Sequence, residues 1–186
     1  MVQLPNMISL SHAKNAVRSV VMGMFGAAVF DTRTYEKVST RKSTGALALL
    51  ILLIASCARG VGQIGNDHLN WIGFIEGFFL SIIWWIVFTL SGYLISFLVT
   101  LKPLTRSRQT EIARLISFAQ APGFLWVFGV IPNIGIAVTN TVVIWQMATT
   151  TVAIKHSLKD GTYWRAIGST FAGFLLWLVV INIFKS

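Results

Sequence analysis

Two charged side chains lie where long apolar stretches of the sequence begin or end, and they are the residues best placed to do chemistry inside a membrane. Arg59 follows one uninterrupted apolar run, and Glu76 comes just before another. A charge within a membrane is costly, and it commonly marks an ion or proton path or a structural pair. Both residues fall near the same end of their runs. We therefore predict a structural pair near one membrane surface, with Arg59 extending towards that surface.

The third apolar stretch is interrupted by Pro122 and Gly123. Proline removes a backbone donor and disfavours helix at the preceding residue, so the sequence predicts that the helix kinks or unwinds at Ala121. Unwound helices expose backbone groups that some transporters use to bind substrates, but those proteins carry paired interruptions in repeated halves. This chain has no convincing second copy. We predict a packing role, in which Asn140 or Gln146 on the next span donates to a freed carbonyl.

Small residues four positions apart occur in three places. They are Gly73 with Gly77, Gly168 with Ala172, and Ser169 with Gly173. Such steps let two helices approach closely. The sequence leaves open whether the neighbouring helix belongs to the same chain or to a partner subunit.

Metal and nucleotide chemistry is not indicated by the sequence. The three histidines lie in different segments, with no cysteine or carboxylate at ligand spacing. The glycine clusters lack the strand, helix and lysine of a phosphate loop. The single cysteine, Cys57, is expected to be a small buried hydrophobe. We expect no enzymatic activity, no metal and no dedicated cofactor, although the seven tryptophans leave a bound lipid, pigment or quinone open.

The elements that carry these residues are predicted to be membrane helices. Hydrophobic residues make up 55% of the 186 residues and charged residues only 11%, whereas a soluble domain carries about a quarter charged residues. The apolar stretches cover residues 44–64, 77–101, 115–131, 133–154 and 166–184. A turn containing Pro132 joins the third stretch to the fourth as a tight hairpin. The sequence predicts an all-α, polytopic membrane helical bundle with five transmembrane helices.

The N-terminal segment, residues 1–43, is predicted to hold an amphipathic helix over residues 11–30. Lys14 and Arg18 lie on one side of it and apolar residues on another. Its apolar part, residues 19–30, is too short to cross a membrane, because a span needs about 20 residues. We expect this helix to lie in the plane of the lipid headgroups. Residues 44–186 then form the transmembrane domain.

The basic residues predict the orientation of the chain. All of them except Arg59 and Lys185 fall on the N-terminal segment or on the loops that share its side of the membrane. Short loops rich in lysine and arginine stay in the cytoplasm, so we expect a cytoplasmic N-terminus and an external C-terminus, in a prokaryotic inner membrane. The net charge of +9 then indicates contacts with membrane lipids. Nucleic acid is not an expected partner, because no basic domain stands outside the membrane.

Several short motifs carry a family resemblance. They are Phe118-Ala119-Gln120-Ala121-Pro122-Gly123, the run from Gly129 to Gly135, Phe30-Asp31, Tyr35-Glu36 and Thr44-Gly45-Ala46. Over residues 15–184 the chain resembles the short prokaryotic form of the Yip-domain family, membrane proteins that interact with Ypt and Rab GTPases. The resemblance implies five transmembrane helices and a non-catalytic role. Rab GTPase binding is not implied, because Ser117 and Phe118 replace the family's Gly-Tyr signature and a long acidic cytoplasmic region is lacking.

Together these features predict a non-enzymatic integral membrane protein. We expect it to act as a scaffold or accessory subunit that organises other membrane proteins or lipids, held in a complex by its small-residue helix faces. A small transporter or channel that uses the broken third helix is the alternative.

Cysteine accessibility tests the predicted orientation. In a chain whose Cys57 is replaced by alanine, Ser107→Cys and Ser157→Cys should react with an impermeant maleimide only from the cytoplasmic side, because both lie on the basic loops. Ser186→Cys should react only from the other side. Labelling of positions 107 and 186 from one side would contradict the five-span topology.

Overall fold

The computed structural model describes residues 6–41, 44–64, 71–131, 133–158 and 162–185, and for residues 6–16 and 184–185 it describes the backbone only. In these ranges the chain is helical and contains no strand. The elements are α1 (Asn6–Ala28), α2 (Thr32–Thr40), α3 (Gly45–Ile64), α4 (Trp71–Thr100), α5 (Arg106–Ala119), a 3₁₀ segment (Ala121–Val130), α6 (Gly135–Ser157) and α7 (Tyr163–Lys185). The predicted all-α bundle is confirmed.

Five of the described stretches are long and apolar enough to cross a membrane. They are α3, α4, the combined stretch Arg106–Val130, α6 and α7. The protein is therefore a multi-pass membrane protein. Three spans start earlier than predicted: α4 begins at Trp71 because apolar residues on both sides of Glu76 continue the helix, α5 begins at Arg106 and α7 begins at Tyr163. On the loop side, Ser107 is exposed whereas Ser157 is buried, so position 107 is the better labelling site.

Glycines let α3 and α4 pack at close range. A Cβ atom on Gly77 would lie 2.8 Å from the Arg59 carbonyl oxygen and 3.0 Å from the Gly60 Cα atom. A Cβ atom on Gly73 would lie 3.2 Å from the carbonyl oxygen of Gln63. The contacts at Gly73 are all with backbone, and those at Gly77 are with backbone and with the Gln63 side chain. Backbone cannot move aside as a flexible side chain can. This pair of small residues therefore serves packing inside the chain.

The small residues of α7 divide between two faces. A Cβ atom on Gly173 would lie 3.0 Å from the Ser91 hydroxyl oxygen on α4, and the Ser169 hydroxyl donates to the Ser91 carbonyl over 3.1 Å. Gly168, by contrast, has nothing within 4 Å of its Cβ position, and Ala172 is exposed. One face thus packs against α4 while the other points away from the bundle.

The N-terminal helix is present, and its C-terminal half packs against the membrane helices. The Trp145 indole nitrogen on α6 donates to the Ala28 carbonyl over 2.8 Å, and a Cβ atom on Gly23 would lie 3.0 Å from the Phe118 ring. Trp145 is ten residues before Lys155 at the basic end of α6, which is about 15 Å along a helix. The C-terminal half of α1 therefore runs alongside the membrane helices.

The α1–α2 hairpin turns back through a capped helix start. The Asp31 side chain accepts hydrogen bonds from the backbone amides of Arg33 and Thr34, each over 3.2 Å. The Thr34 hydroxyl also donates to it over 2.7 Å. An aspartate at this position satisfies amides that have no partner within the helix. The cap fixes the place where the chain reverses and returns towards α3.

The expectation that Cys57 is buried is wrong. Its side chain is exposed on α3, and is not a buried hydrophobe. Leu53, one turn earlier, is also exposed. An apolar run in a membrane helix contains residues that face lipid as well as residues that face the bundle, and composition alone does not separate the two.

Gly77 and Gly168 form a matched pair for testing the packing. We expect Gly77→Ala to lower the free energy of unfolding by roughly 1–3 kcal/mol, because the new methyl group meets backbone atoms. Gly168→Ala should leave stability unchanged or raise it by up to about 1 kcal/mol, because alanine favours helix and the space is open. Thermal unfolding in mild detergent measures both. Equal effects at the two positions would contradict the close α3–α4 packing.

Candidate functional site

The break in the third membrane span lies deep inside the bundle. The α-helix ends at Ala119, and the chain continues as a ten-residue 3₁₀ segment that starts at Ala121. Ala121, Pro122 and Gly123 are all buried. The predicted change of helix geometry at Ala121 is thus present, and Pro122 lies in the first turn of the 3₁₀ segment, where its missing amide leaves no hydrogen bond unmade.

Side chains from α6 supply the hydrogen bonds at this break. The Thr149 hydroxyl donates to the Ala119 carbonyl over 2.8 Å, and the Gln146 amide donates to the Gln120 side-chain oxygen over 3.0 Å. All three side chains that take part, those of Thr149, Gln146 and Gln120, are buried. The break is therefore closed by the protein's own polar groups.

The residues predicted to serve the break are placed differently from one another. Gln146 is at the break, but it donates to the Gln120 side chain and not to a freed backbone carbonyl as predicted. The Asn140 side chain is exposed nearer the start of α6. Pro132 lies outside the described residues. The next residue, Asn133, has a φ of 69°, a left-handed conformation that asparagine tolerates better than most residues. It lies in the short turn that joins the 3₁₀ segment to α6.

Arg59 is buried, so the prediction that it extends to the surface is wrong. Its guanidinium carbon lies 4.8 Å from the centroid of the Trp126 ring and 5.4 Å from that of Trp177. Aromatic faces carry partial negative charge and attract cations at this distance. The Nε atom has no hydrogen-bond partner among the described residues. Arg59 thus links α3 to the 3₁₀ segment and to α7.

The predicted ion pair between Arg59 and Glu76 is not formed. Glu76 is exposed, and among the described residues the ion pair within 4.0 Å joins Arg108 to Glu111 instead. The sequence placed the two charges at the same end of adjacent helices, but two tryptophans that are distant in sequence occupy the space around the guanidinium.

A second polar cluster lies at the opposite, basic end of the bundle. The Arg114 guanidinium donates to the Arg41 carbonyl over 2.7 Å and to the Ser39 carbonyl over 3.3 Å. The Ser39 hydroxyl donates to Glu111. These bonds tie the end of α2 to α5. They place Arg41 and the end of α2 beside Arg114 of α5.

Tyr35 is buried at this basic end of the bundle, between α1 and α6. Its ring stacks on that of His156 with centroids 5.6 Å apart. Its hydroxyl donates to the Ala27 carbonyl over 3.1 Å and lies 3.4 Å from the Thr149 carbonyl. Burial raises the pKa of the Tyr35 phenol, so Tyr35 is neutral and acts as a donor at any physiological pH. It holds α2 against α1 and α6.

Sequence reasoning missed two of the residues that matter most, Trp126 and Trp177, and it identified Thr149 only as one of three threonines able to hydrogen-bond between helices. Thr149 stands in a Thr-Thr-Thr run whose members look alike in sequence, and only one faces the break. The two tryptophans look like lipid-facing aromatics until Arg59 is seen between them. A search for aromatic residues near the same membrane depth as a lone intramembrane arginine would have found them.

No group of three or more histidine, cysteine, aspartate and glutamate side chains among the described residues could hold a metal ion. Comparisons with protein-family models, curated proteins and solved structures find no match to this chain. The candidate site is therefore characterised by its geometry. It consists of a closed helix break at mid-span, a cation between two indoles at one end and a basic, hydrogen-bonded cluster at the other.

A pair of double-mutant cycles tests the position of Arg59. The cycle of Arg59→Met with Trp126→Leu should give a coupling energy of roughly 1–2 kcal/mol, because a desolvated cation–aromatic contact is lost. The matched cycle of Arg59→Met with Glu76→Gln should give less than about 0.5 kcal/mol, as expected for an exposed and distant partner. Unfolding in mild detergent measures both. A larger coupling with Glu76 would contradict this arrangement.

Proposed function

We propose that this chain is a non-enzymatic scaffold or accessory subunit that organises other membrane proteins or lipids. We propose further that it is a short prokaryotic relative of the Yip-domain family, placed in the inner membrane with a cytoplasmic N-terminus and an external C-terminus. Rab GTPase binding forms no part of this role.

The closed break in the third span is the observation that carries the proposal. A substrate site at an unwound helix needs backbone groups that are open to a cavity. Here the Ala119 carbonyl already accepts from Thr149. Space is also absent, since a Cβ atom on Gly123 would lie 2.6 Å from the Gln146 amide nitrogen and 3.0 Å from the Ala55 Cβ atom. The break favours packing over transport.

The outer face of α7 supports contact with a partner. Gly168 and Ala172 lie on this face with open space in front of Gly168. Large apolar side chains beside them, such as Phe171 and Leu175, are also exposed. A face that mixes small and large apolar residues allows another membrane helix to approach closely.

The distribution of charge supports the proposed orientation. Arg41 and Arg114 meet at one end of the bundle. Lys155, at the end of α6, lies there too, with its ammonium 3.7 Å from the Tyr163 ring. Arg59, the buried exception, lies near the other end of α3. A basic side of this kind is retained in the cytoplasm during insertion.

Co-purification in mild detergent tests the proposal. We expect the protein to elute with one or more membrane proteins in fixed stoichiometry. Gly168→Leu with Ala172→Leu should abolish that association, because the added side chains fill the space that a partner helix would occupy. Ala148→Leu, at an exposed position on α6, is the matched control and should leave the complex intact.

Flux measurements test the alternative that the protein is a transporter. The purified protein, reconstituted alone, should carry no ion or small-molecule flux above that of empty vesicles. A monomer with flux that Gln146→Leu abolishes would contradict the proposal and favour a transporter that uses the break. If the complex survives the change at positions 168 and 172, the scaffold role would stand, but α7 would not be the contact surface.

A further inference from the structure

An open groove of about 540 Å³ lies between the N-terminal hairpin and the first membrane span. Its walls come from α1, α2 and the start of α3, and Phe118 contributes from α5. Neither the helix break nor the Arg59 cluster takes part in it. The groove is large enough to hold part of a lipid, and it opens to the outside of the bundle.

One end of the groove is cationic. Lys37, in the last turn of α2, and Arg41, the extended residue that caps the C-terminus of this helix, both line the groove. No carboxylate side chain pairs with either of them within 4.0 Å among the described residues. The Arg41 carbonyl, rather than its guanidinium, makes the bonds that hold this segment to Arg114. The two cations are therefore available to an anionic group.

The rest of the groove is apolar. Met22, Phe25 and Val29 of α1 are exposed along it, and Leu47 of α3 lines the opposite wall. This surface continues from the cationic end towards the turn of the hairpin. Exposing apolar side chains of this size to water costs free energy, whereas contact with hydrocarbon does not.

The position of the groove along the bundle matches the upper part of one lipid leaflet. Arg41 is bonded to Arg114, the last charged residue before α5 becomes apolar. Phe118, which lines the groove, lies four residues further along α5, or about 6 Å deeper. We therefore expect the two cations to lie near the lipid phosphates and the apolar wall to lie beside the first part of the acyl chains.

Asp31 makes the charge at one end of the groove opposite to that at the other. Its carboxylate lies at the turn of the hairpin, away from Lys37 and Arg41 along α2, and three hydrogen bonds from Arg33 and Thr34 hold it there. The Thr34 hydroxyl lowers the pKa of this carboxyl below its ordinary value, so the group is anionic. A phosphate would be repelled at this end and attracted at the other.

We propose that this groove binds one anionic phospholipid from the leaflet on the basic side of the protein. The headgroup phosphate lies between Lys37 and Arg41, and one acyl chain runs along Met22, Val29 and Leu47. Charge complementarity selects the headgroup, and the apolar wall takes the chain. The inference deepens the lipid part of the proposed function and rests on it, but it requires no protein partner.

Native mass spectrometry of the purified, delipidated protein tests the headgroup contact. We expect dioleoyl phosphatidylglycerol to bind roughly thirtyfold more tightly than dioleoyl phosphatidylcholine, since two basic residues meet the anionic headgroup. Lys37→Gln with Arg41→Gln should remove that preference. Arg33→Gln with Lys102→Gln removes the same charge from exposed positions outside the groove and should preserve it.

A second pair of variants tests the acyl-chain contact. Leu47→Trp fills the groove and should lower phosphatidylglycerol binding about tenfold or more, because a buried chain segment of a few methylene groups loses its place. Leu50→Trp places the same side chain at an exposed position on α3 outside the groove, and it should bind lipid as the native chain does. Unfolding in lipid-free detergent verifies that each variant is folded.

Three results would overturn the proposal. Equal affinity for the two lipids would remove the headgroup contact, and equal loss in both charge variants would indicate diffuse attraction to the surface. A dimer that replaces lipid binding and disappears with Leu47→Trp would show that a second copy occupies the groove. Each measurement uses the isolated protein, so none depends on whether a partner complex exists.

Discussion

The fold depends on satisfying the backbone where the third span stops being an α-helix. Inside a bilayer no water replaces a missing hydrogen bond, so every freed carbonyl needs a donor from the protein. Thr149 supplies one to Ala119, and Gln146 bonds the side chain of Gln120 beside it. These contacts fix α6 against α5 at one depth and one rotation. The neighbouring 3₁₀ segment can then pack closely against α3.

Two further constraints follow from that close packing. Gly62 on α3 lies directly against the Trp126 carbonyl of the 3₁₀ segment, and on another side of α3 the glycines of α4 meet backbone. Trp126 is thereby placed beside Arg59, and Trp177 also lies within cation–aromatic distance of it. A cation becomes tolerable in an apolar bundle when aromatic faces surround it. The arginine thus helps to hold the 3₁₀ segment, which follows the helix break, against α3 and α7.

The sequence predicted the spans and the break correctly because each rests on local properties, namely the length of apolar runs and the geometry of proline. It did not predict the surroundings of Arg59, since these come from three helices distant in the chain. It also chose Asn140 beside Gln146 as a donor, because both are amides on α6. Only their rotation about the helix distinguishes them, and that rotation is set by tertiary packing.

The hairpin of α1 and α2 also has a consequence for how the protein is made. Tyr35 and Trp145 connect this hairpin to α6 through bonds between residues 114 and 117 positions apart in the chain. At roughly 5–20 residues per second, the ribosome delivers α6 many seconds after the hairpin has emerged. The hairpin is therefore synthesised well before the helix that holds it, and until then its apolar side depends on the membrane surface for cover.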